Sequence, residues 1–267
     1  MKQDRQTVRL RQGTLSYLHA GRGAPVVFFH GLNGNAESWR RQLDGLAGEL
    51  SMWAWDAPGY GASDAGGEHL DDLADAAIEF IERVAPGPVS LVGHSMGGLV
   101  ALRVALRDPA RVDRLVLSCT HAGHGLNGAD AADQRYRRRL GELRELPPSE
   151  YGARRARGML PESAGAAVFD EVARIAAASR PEGMGRAALA IQRANLQPEL
   201  GRVKAPTLVI TADHDRVAPL AKAQPLLDGI PDARHRVLEG LGHAPYIEDS
   251  GRYNTLLRDF LTARRQA

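Results

Sequence analysis

The stretch Val89-Ser90-Leu91-Val92-Gly93-His94-Ser95-Met96-Gly97-Gly98-Leu99-Val100-Ala101 decides how the rest of the chain reads. Val89 to Val92 is a short apolar run, largely β-branched or leucine, stopped by a glycine, which is the pattern of a buried strand. From Gly98 to Leu106 apolar residues recur with few breaks, so a helix packed on the sheet is predicted there, with its N-terminus pointing at Ser95. Gly93 and Gly97 flank Ser95 at i−2 and i+2, where a Cβ would crowd a sharp strand-to-helix turn and where the central residue is forced into a strained backbone conformation. Such a turn presents the serine hydroxyl outward. This is the strand–turn–helix setting in which a G-x-S-x-G serine acts as a nucleophile. A lone pentapeptide of this kind is as readily a glycine-rich turn, and its weight comes from where the other polar residues fall.

At 267 residues the chain is long enough to bury a large core as one domain with an insertion. Its 43% hydrophobic and 25% charged content suits a globular protein, and a net charge of +2 is too small to argue for nucleic acid. The single cysteine, Cys119, excludes an intramolecular disulfide and reads as a small core residue after the strand-like Leu115-Val116-Leu117-Ser118. Met1 to Gln6 is polar with no apolar leader, and no run approaches membrane-spanning length, so a cytoplasmic location without membrane association is expected.

Working outward, Thr7 to His19 reads as a β-hairpin around Gly13, and Pro25 to Phe29 as a strand ending at His30-Gly31-Leu32-Asn33-Gly34. Met52 to Trp55 is the next strand, followed by the turn-rich loop Asp56 to Ser63. Leu73, Ala76, Ala77, Phe80, Ile81 and Val84 share one helical face over Leu70 to Val84. Val112 to Ser118, Ala205 to Thr211 and Arg234 to Leu238 are further strands, and an amphipathic helix closes the chain through Phe260. Strands alternating with helices predict an α/β fold, a parallel sheet covered on both faces, with the loops at the strands' carboxyl ends gathered on one edge. His30, Asp56 and Ser95 all fall there. Residues 120–197 differ: they lack β runs, are rich in alanine, and carry arginines at 135, 137, 138, 139, 144, 154, 155 and 157. This segment reads as a helical lid broken near Pro147-Pro148 and Pro161, dividing the core into residues 1–119 and 198–267.

In chain order the sequence offers Ser95, an acid after the next-to-last strand, and His243 after the last. Together with His30-Gly31, Asp56-x-x-Gly59-x-Gly61-x-Ser63, Gly93-His94-Ser95-Met96-Gly97-Gly98 and Gly242-His243, this closely resembles the α/β-hydrolase fold family, over nearly the whole chain outside the lid. The resemblance implies a mostly parallel eight-stranded sheet with helices on both faces. It also implies Ser95 as nucleophile, His243 as general base and then acid, and backbone N–H groups of Leu32 and Met96 as the oxyanion hole. Two carboxylates compete for the third place, Asp213 and Asp215. The family's spacing to the following proline, here Pro219, favours Asp215 and leaves Asp213 as a turn or cap residue. His30 and His94 are expected to pack and hydrogen-bond around the elbow.

The elbow serine argues against branches that place an aspartate there. The pattern is nearest the group of 3-oxoadipate enol-lactonases and small carboxylesterases, with Ala190 to Leu200 resembling the end of their lid. The expectation is therefore a serine hydrolase cleaving a small ester or lactone, with a lid arginine able to fork onto a substrate carboxylate. Carbon–carbon hydrolysis of meta-cleavage-type dienoate ketones, cofactor-free perhydrolysis, and a ligand receptor with slow hydrolysis stand as alternatives. No dinucleotide or phosphate-loop fingerprint occurs and His121-x-x-His124 shows no third ligand, so neither cofactor nor metal is expected. The only partner expected is a small-molecule substrate. Nothing in the sequence chooses between monomer and homo-oligomer.

Overall fold

The structure is a computed structural model and describes residues 4–125 and 130–263. The predicted hairpin is β1 (Gln6–Leu10) and β2 (Gly13–Ala20), paired antiparallel. Six further strands follow: β3 (Ala24–Phe29), β4 (Leu50–Trp55), β5 (Val89–His94), β6 (Val112–Ser118), β7 (Thr207–Ala212) and β8 (Arg234–Leu238). Among the described residues they form one eight-stranded sheet, in the order β1-β2-β4-β3-β5-β6-β7-β8. Strand β2 runs antiparallel to β1 and β4, and every pair from β4 to β8 is parallel. This is the α/β-hydrolase architecture that the motifs implied.

Alternation along β3 shows why the sheet needs cover on both faces. Val26 and Phe28 point into one apolar cluster, Val27 and Phe29 into the other, and all four are fully buried. Helices α2 (Leu70–Val84) and α3 (Met96–Arg107) close the Phe29 side, where Phe80, Leu99 and Leu102 pack. On the Phe28 side, Trp39, α1 (Arg40–Leu46) with Leu43, and the C-terminal helices with Tyr253 and Leu257 form the cover. Each of these large side chains contributes roughly 1.5–3 kcal/mol by leaving water.

Three local details depart from the sequence reading. The stretch Ala36–Leu46, for which a strand-to-strand reading predicts nothing, forms a short 3-10 turn, Ala36–Trp39, running into α1. Asn35 starts it by accepting the Glu37 N–H at 2.8 Å. The closing helix is two pieces, because Asp249 (φ −138°, ψ 78°) interrupts it between Pro245–Glu248 and Ser250–Leu261 and caps the second piece. Among the described residues, four α-helices lie between β6 and β7, α4 (Asp130–Glu145), α5 (Pro148–Met159), α6 (Ala166–Ala177) and α7 (Pro181–Arg193), followed by a 3-10 turn, Gln197–Arg202. They are interrupted at the anticipated prolines and again before Pro181. The remaining helices are α8 (Leu220–Gly229), α9 (Pro245–Glu248) and α10 (Ser250–Leu261). No helix among the described residues is long and apolar enough to cross a membrane.

Candidate active site

The elbow begins with sterics. Ser95 stands between β5 and α3 at φ 52°, ψ −116°, a left-handed conformation costly for any residue with a Cβ. Its two flanking glycines explain how the fold holds it there. A Cβ on Gly97 would lie 2.0 Å from the Phe29 carbonyl oxygen, and one on Gly93 would lie 2.3 Å from that of Gly97. The main chains of β3, β5 and α3 thus meet at contact distance, and the strained serine is gripped from both sides.

His243, in the loop after β8, is 5% exposed at its side chain and lies between Ser95 and Asp215. Its Nδ1 is 2.8 Å from Asp215 Oδ2 and its Nε2 is 3.2 Å from Ser95 Oγ. Burial works to raise the Asp215 pKa, but hydrogen bonding and charge from His243 and the N–H groups of Ala218 and Val217 outweigh it. The net result lies below the ordinary carboxylate value, so Asp215 is ionised at neutral pH. An ionised carboxylate only accepts, which places a proton on Nδ1, and in the neutral imidazole Nε2 is then the acceptor facing the serine hydroxyl. Asp213 is elsewhere, with its Oδ1 accepting the Gly240 N–H at 2.7 Å in a turn.

The two histidines around the elbow are structural here. His94 Nε2 donates to the His243 carbonyl at 2.7 Å, and burial, followed by the His243 charge, lowers its pKa to about 3. His30 donates from Nδ1 to Gly31 O at 2.8 Å and accepts the Ala57 N–H on Nε2 at 3.0 Å, with burial as the main cause of a pKa near 4. Both are neutral pins. Asp56, also at a strand end, is turned beneath the loops, where Arg5, Ser16 and the Ala36 N–H hold its carboxylate.

Leu32 lines the cavity beside Ser95, while Met96 is buried at the first position of α3, among the N–H groups that a helix start leaves without intrahelical partners. The loop carrying Leu32 is fixed by Tyr60, whose hydroxyl donates to Leu32 O at 2.9 Å, and by a Gly34 N–H to Gly31 O turn of 2.9 Å.

Residues 26–256 match the family model described as the alpha/beta hydrolase family. The chain belongs to that family. Over 90% of its length it is 33% identical to the RutD protein of Variovorax paradoxus (strain S110), named as a carbamate hydrolase, and it covers 92% of that protein. Among solved structures, the esterase from Exiguobacterium antarcticum aligns with a TM-score of 0.87 at 20% identity, covering 97% of this chain and 99% of that one. The enol-lactonase from Burkholderia xenovorans LB400 gives 0.85 at 22% identity, covering 97% and 100%. At those identities the two structures attest the fold.

In this alpha/beta hydrolase two sets of supporting contacts escaped the motif reading. Glu248 of α9 accepts the Gly242 N–H at 2.8 Å and the Ala244 N–H at 2.9 Å, clasping the main chain on both sides of His243. Tyr151 of α5, fully buried, donates to Asn33 Oδ1 at 2.8 Å and so ties the inserted helices to the Leu32 loop. At its other end α5 meets the histidine loop, where the His243 N–H donates to Met159 O at 2.8 Å. The Gly242-His243-Ala244-Pro245 motif marks the loop, but no local signal marks Glu248 or Tyr151 as its supports.

The cavity above Ser95 and His243 measures about 500 Å³ and is lined by Gly31 to Gly34, His121, and residues of α4, α5, α7 and the Asp215 loop. His94, Cys119 and His243 are the group, among the described residues, whose metal-ligating atoms lie within 4.8 Å of one another. Both ring nitrogens of His243 and one of His94 are already committed to hydrogen bonds, so the group lacks the open donor set of a metal centre.

Proposed function

We propose that the protein is a serine hydrolase that cleaves a small carboxylic ester or lactone through an acyl-enzyme on Ser95. The single observation that carries this reading is the hydrogen-bonded line from Asp215 through His243 to Ser95 at the edge of a cavity. A serine hydroxyl is a weak nucleophile, so His243 Nε2 takes its proton as the bond to the carbonyl carbon forms. Asp215 holds the imidazole in the required tautomer and stabilises its charged form. The negative oxygen of the tetrahedral intermediate lies on the N–H groups of Leu32 and Met96. His243 then protonates the leaving oxygen, and a water activated by the same nitrogen releases the acid. Residues 120–197 act as the cap of the site, and residues 1–119 and 198–267 as the two parts of its core, with the cytoplasm as the working compartment of a chain whose one cysteine is a buried thiol.

A second reading comes from the carbamate hydrolase named among the relatives. Attack on a carbamate carbonyl uses the same three side chains and differs in the acyl group left on Ser95.

The deciding assay follows release of nitrophenol from p-nitrophenyl esters of rising chain length by the wild type, Ser95→Ala and Asp215→Asn. Ser95→Ala is expected to lose about 10⁶-fold in kcat with a near wild-type melting temperature, and Asp215→Asn about 10⁴-fold with a lowered one, because its buried carboxylate also holds the Val217 and Ala218 N–H groups. An active, folded Ser95→Ala protein would remove the acyl-enzyme reading.

A further inference from the structure

Much of the polar lining of the cavity is engaged by the protein itself: Glu142 accepts from Arg155, Arg216 donates to Leu160 O, and Asn33 Oδ1 takes the Tyr151 hydroxyl. His121, on the same wall three residues beyond β6, differs. Its Nδ1 accepts the Gly123 N–H at 2.9 Å, so in the neutral ring the proton sits on Nε2. That Nε2–H meets no acceptor among the described residues, and it is not sealed from solvent. Burial first, and then the charges of His124 and Lys222, lower the His121 pKa to about 3. At neutral pH the ring is therefore uncharged, and it is too weak a base to compete with His243 for the serine proton.

The loop carrying this histidine is held in place. The Leu196 N–H donates to Ala122 O at 2.7 Å and the Gly125 N–H to Ala194 O at 2.8 Å, stitching the segment after His121 to the chain leaving α7. Between these bonds Gly123 stands at φ 100°, where a Cβ would lie 2.2 Å from Ala194 O. Only glycine fits there, and its N–H is the one that fixes the His121 tautomer. The His124 ring lies beside that of His121, with centroids 4.3 Å apart and planes 38° apart. Gln192, in the last turn of α7, lines the same cavity half-buried, and its amide makes no hydrogen bond among the described residues.

We infer that His121 is a specificity-determining residue whose Nε2–H donates to an uncharged oxygen of the substrate, a keto or ether oxygen set apart from the scissile ester. A donor whose tautomer and ring position are already fixed loses little freedom when the substrate binds. A second proton would have to land on Nδ1 and displace the Gly123 N–H, so the ring is built to donate while neutral. A substrate with a methylene at that place leaves the donor unpaired, and the lost hydrogen bond becomes selectivity. The inference deepens the ester-hydrolase reading and rests on it for the turnover assays. The binding assay below stands apart from it.

Two matched pairs test the idea by proton release: methyl laevulinate against methyl pentanoate, with the extra oxygen on the acyl side, and methoxyethyl acetate against butyl acetate, with it on the leaving side. Each pair gives a ratio of kcat/KM, and comparing that ratio between wild type and variant cancels the intrinsic reactivity of the esters. His121→Asn keeps an oxygen where Nδ1 accepts the Gly123 N–H and removes the cavity-facing donor. It should lower the ratio about fivefold in at least one pair. His121→Met, of similar bulk and without a donor, gives the same comparison should the first variant fail to fold. Calorimetry on Ser95→Ala protein, with and without His121→Asn, compares binding of the same esters, and the relative affinity for the member with the extra oxygen should fall about fivefold. Ratios that the His121 variant leaves unchanged in both pairs, in turnover or in binding, overturn the inference. No turnover of any ester by the wild type overturns the ester reading, and calorimetry then judges His121 alone.

Discussion

The floor of the cavity, where Ser95, His243 and Asp215 sit on strand ends, is held by main chains packed to contact and by buried hydrogen bonds. Its roof, the helices between β6 and β7, also packs closely at Gly152 against the Ala173 carbonyl, but it adds partly exposed ion pairs such as Arg154 to Glu142 and Arg154 to Glu150. Contact sterics leave no slack, whereas an ion pair open to solvent contributes about 0–1 kcal/mol and tolerates exchange. Under the proposed function, the difference assigns the reaction to the floor and the choice of substrate to the roof. Helix α5 belongs to both, since Tyr151 grips the Leu32 loop at one end and Met159 grips His243 at the other.

The contrast breaks most sharply at glycine. Gly97→Ala forces a Cβ against the Phe29 carbonyl, and a loss of more than about 3 kcal/mol in urea unfolding is expected, with activity lost alongside. Gly158, on α5, has open space where a Cβ would go, so Gly158→Ala should stabilise by about 0.5–1 kcal/mol. Small effects of equal size at both positions would mean that the floor is no more constrained than the roof.

Acid should strain the floor next. His30 and His94 have folded pKa values lowered to about 4 and about 3, so below about pH 6.5 the unfolded chain takes up protons that the folded one refuses. Stability is therefore highest above that pH and falls as pH drops towards 4, with a slope of up to about 1.4 kcal/mol per pH unit for each histidine. Asp215 adds to this further down. Its lowered pKa contributes stability above the unfolded value of about 3.9, which is lost as pH falls through the folded one. Urea unfolding measured from pH 7.5 to 4.5 gives the slope, and a flat profile would contradict the neutral-pin account of the two histidines.

The finest test lies at the junction of the two regions. Tyr151→Phe removes the hydrogen bond to Asn33 and leaves the ring in place, at a cost of about 1 kcal/mol in stability. If the bond positions the Leu32 N–H, kcat should fall severalfold, on the order of 3–10, while KM changes little. A change in KM alone would assign Tyr151 to substrate contact instead.

Local signals in the chain made the elbow legible. Glycine at positions 93 and 97, a β-branched run before them and an apolar helix after them are properties of neighbours, and the Ser, Asp, His order is read directly along the chain. The α1 helix was harder to see, although Trp39, Leu43 and Leu46 do share a helical face, because it follows a turn-rich loop that masks its start. Glu248 was illegible for a different reason: an acid early in a short helix is ordinary, and only its hydrogen bonds to Gly242 and Ala244 reveal a clasp.

Read alone, the chain settles the alternation of strands and helices and the place of the strained serine, since both rest on periodicity and on the missing Cβ of nearby glycines. Packing in three dimensions decided the rest. Which of Asp213 and Asp215 reaches His243 depends on where the β7 and β8 loops meet, and the Tyr151 to Asn33 bond joins residues 118 positions apart. The gathering of arginines from α4, α5 and the Asp215 loop around one cavity likewise has no local signature, because electrostatic convergence depends on distance through space and not along the chain.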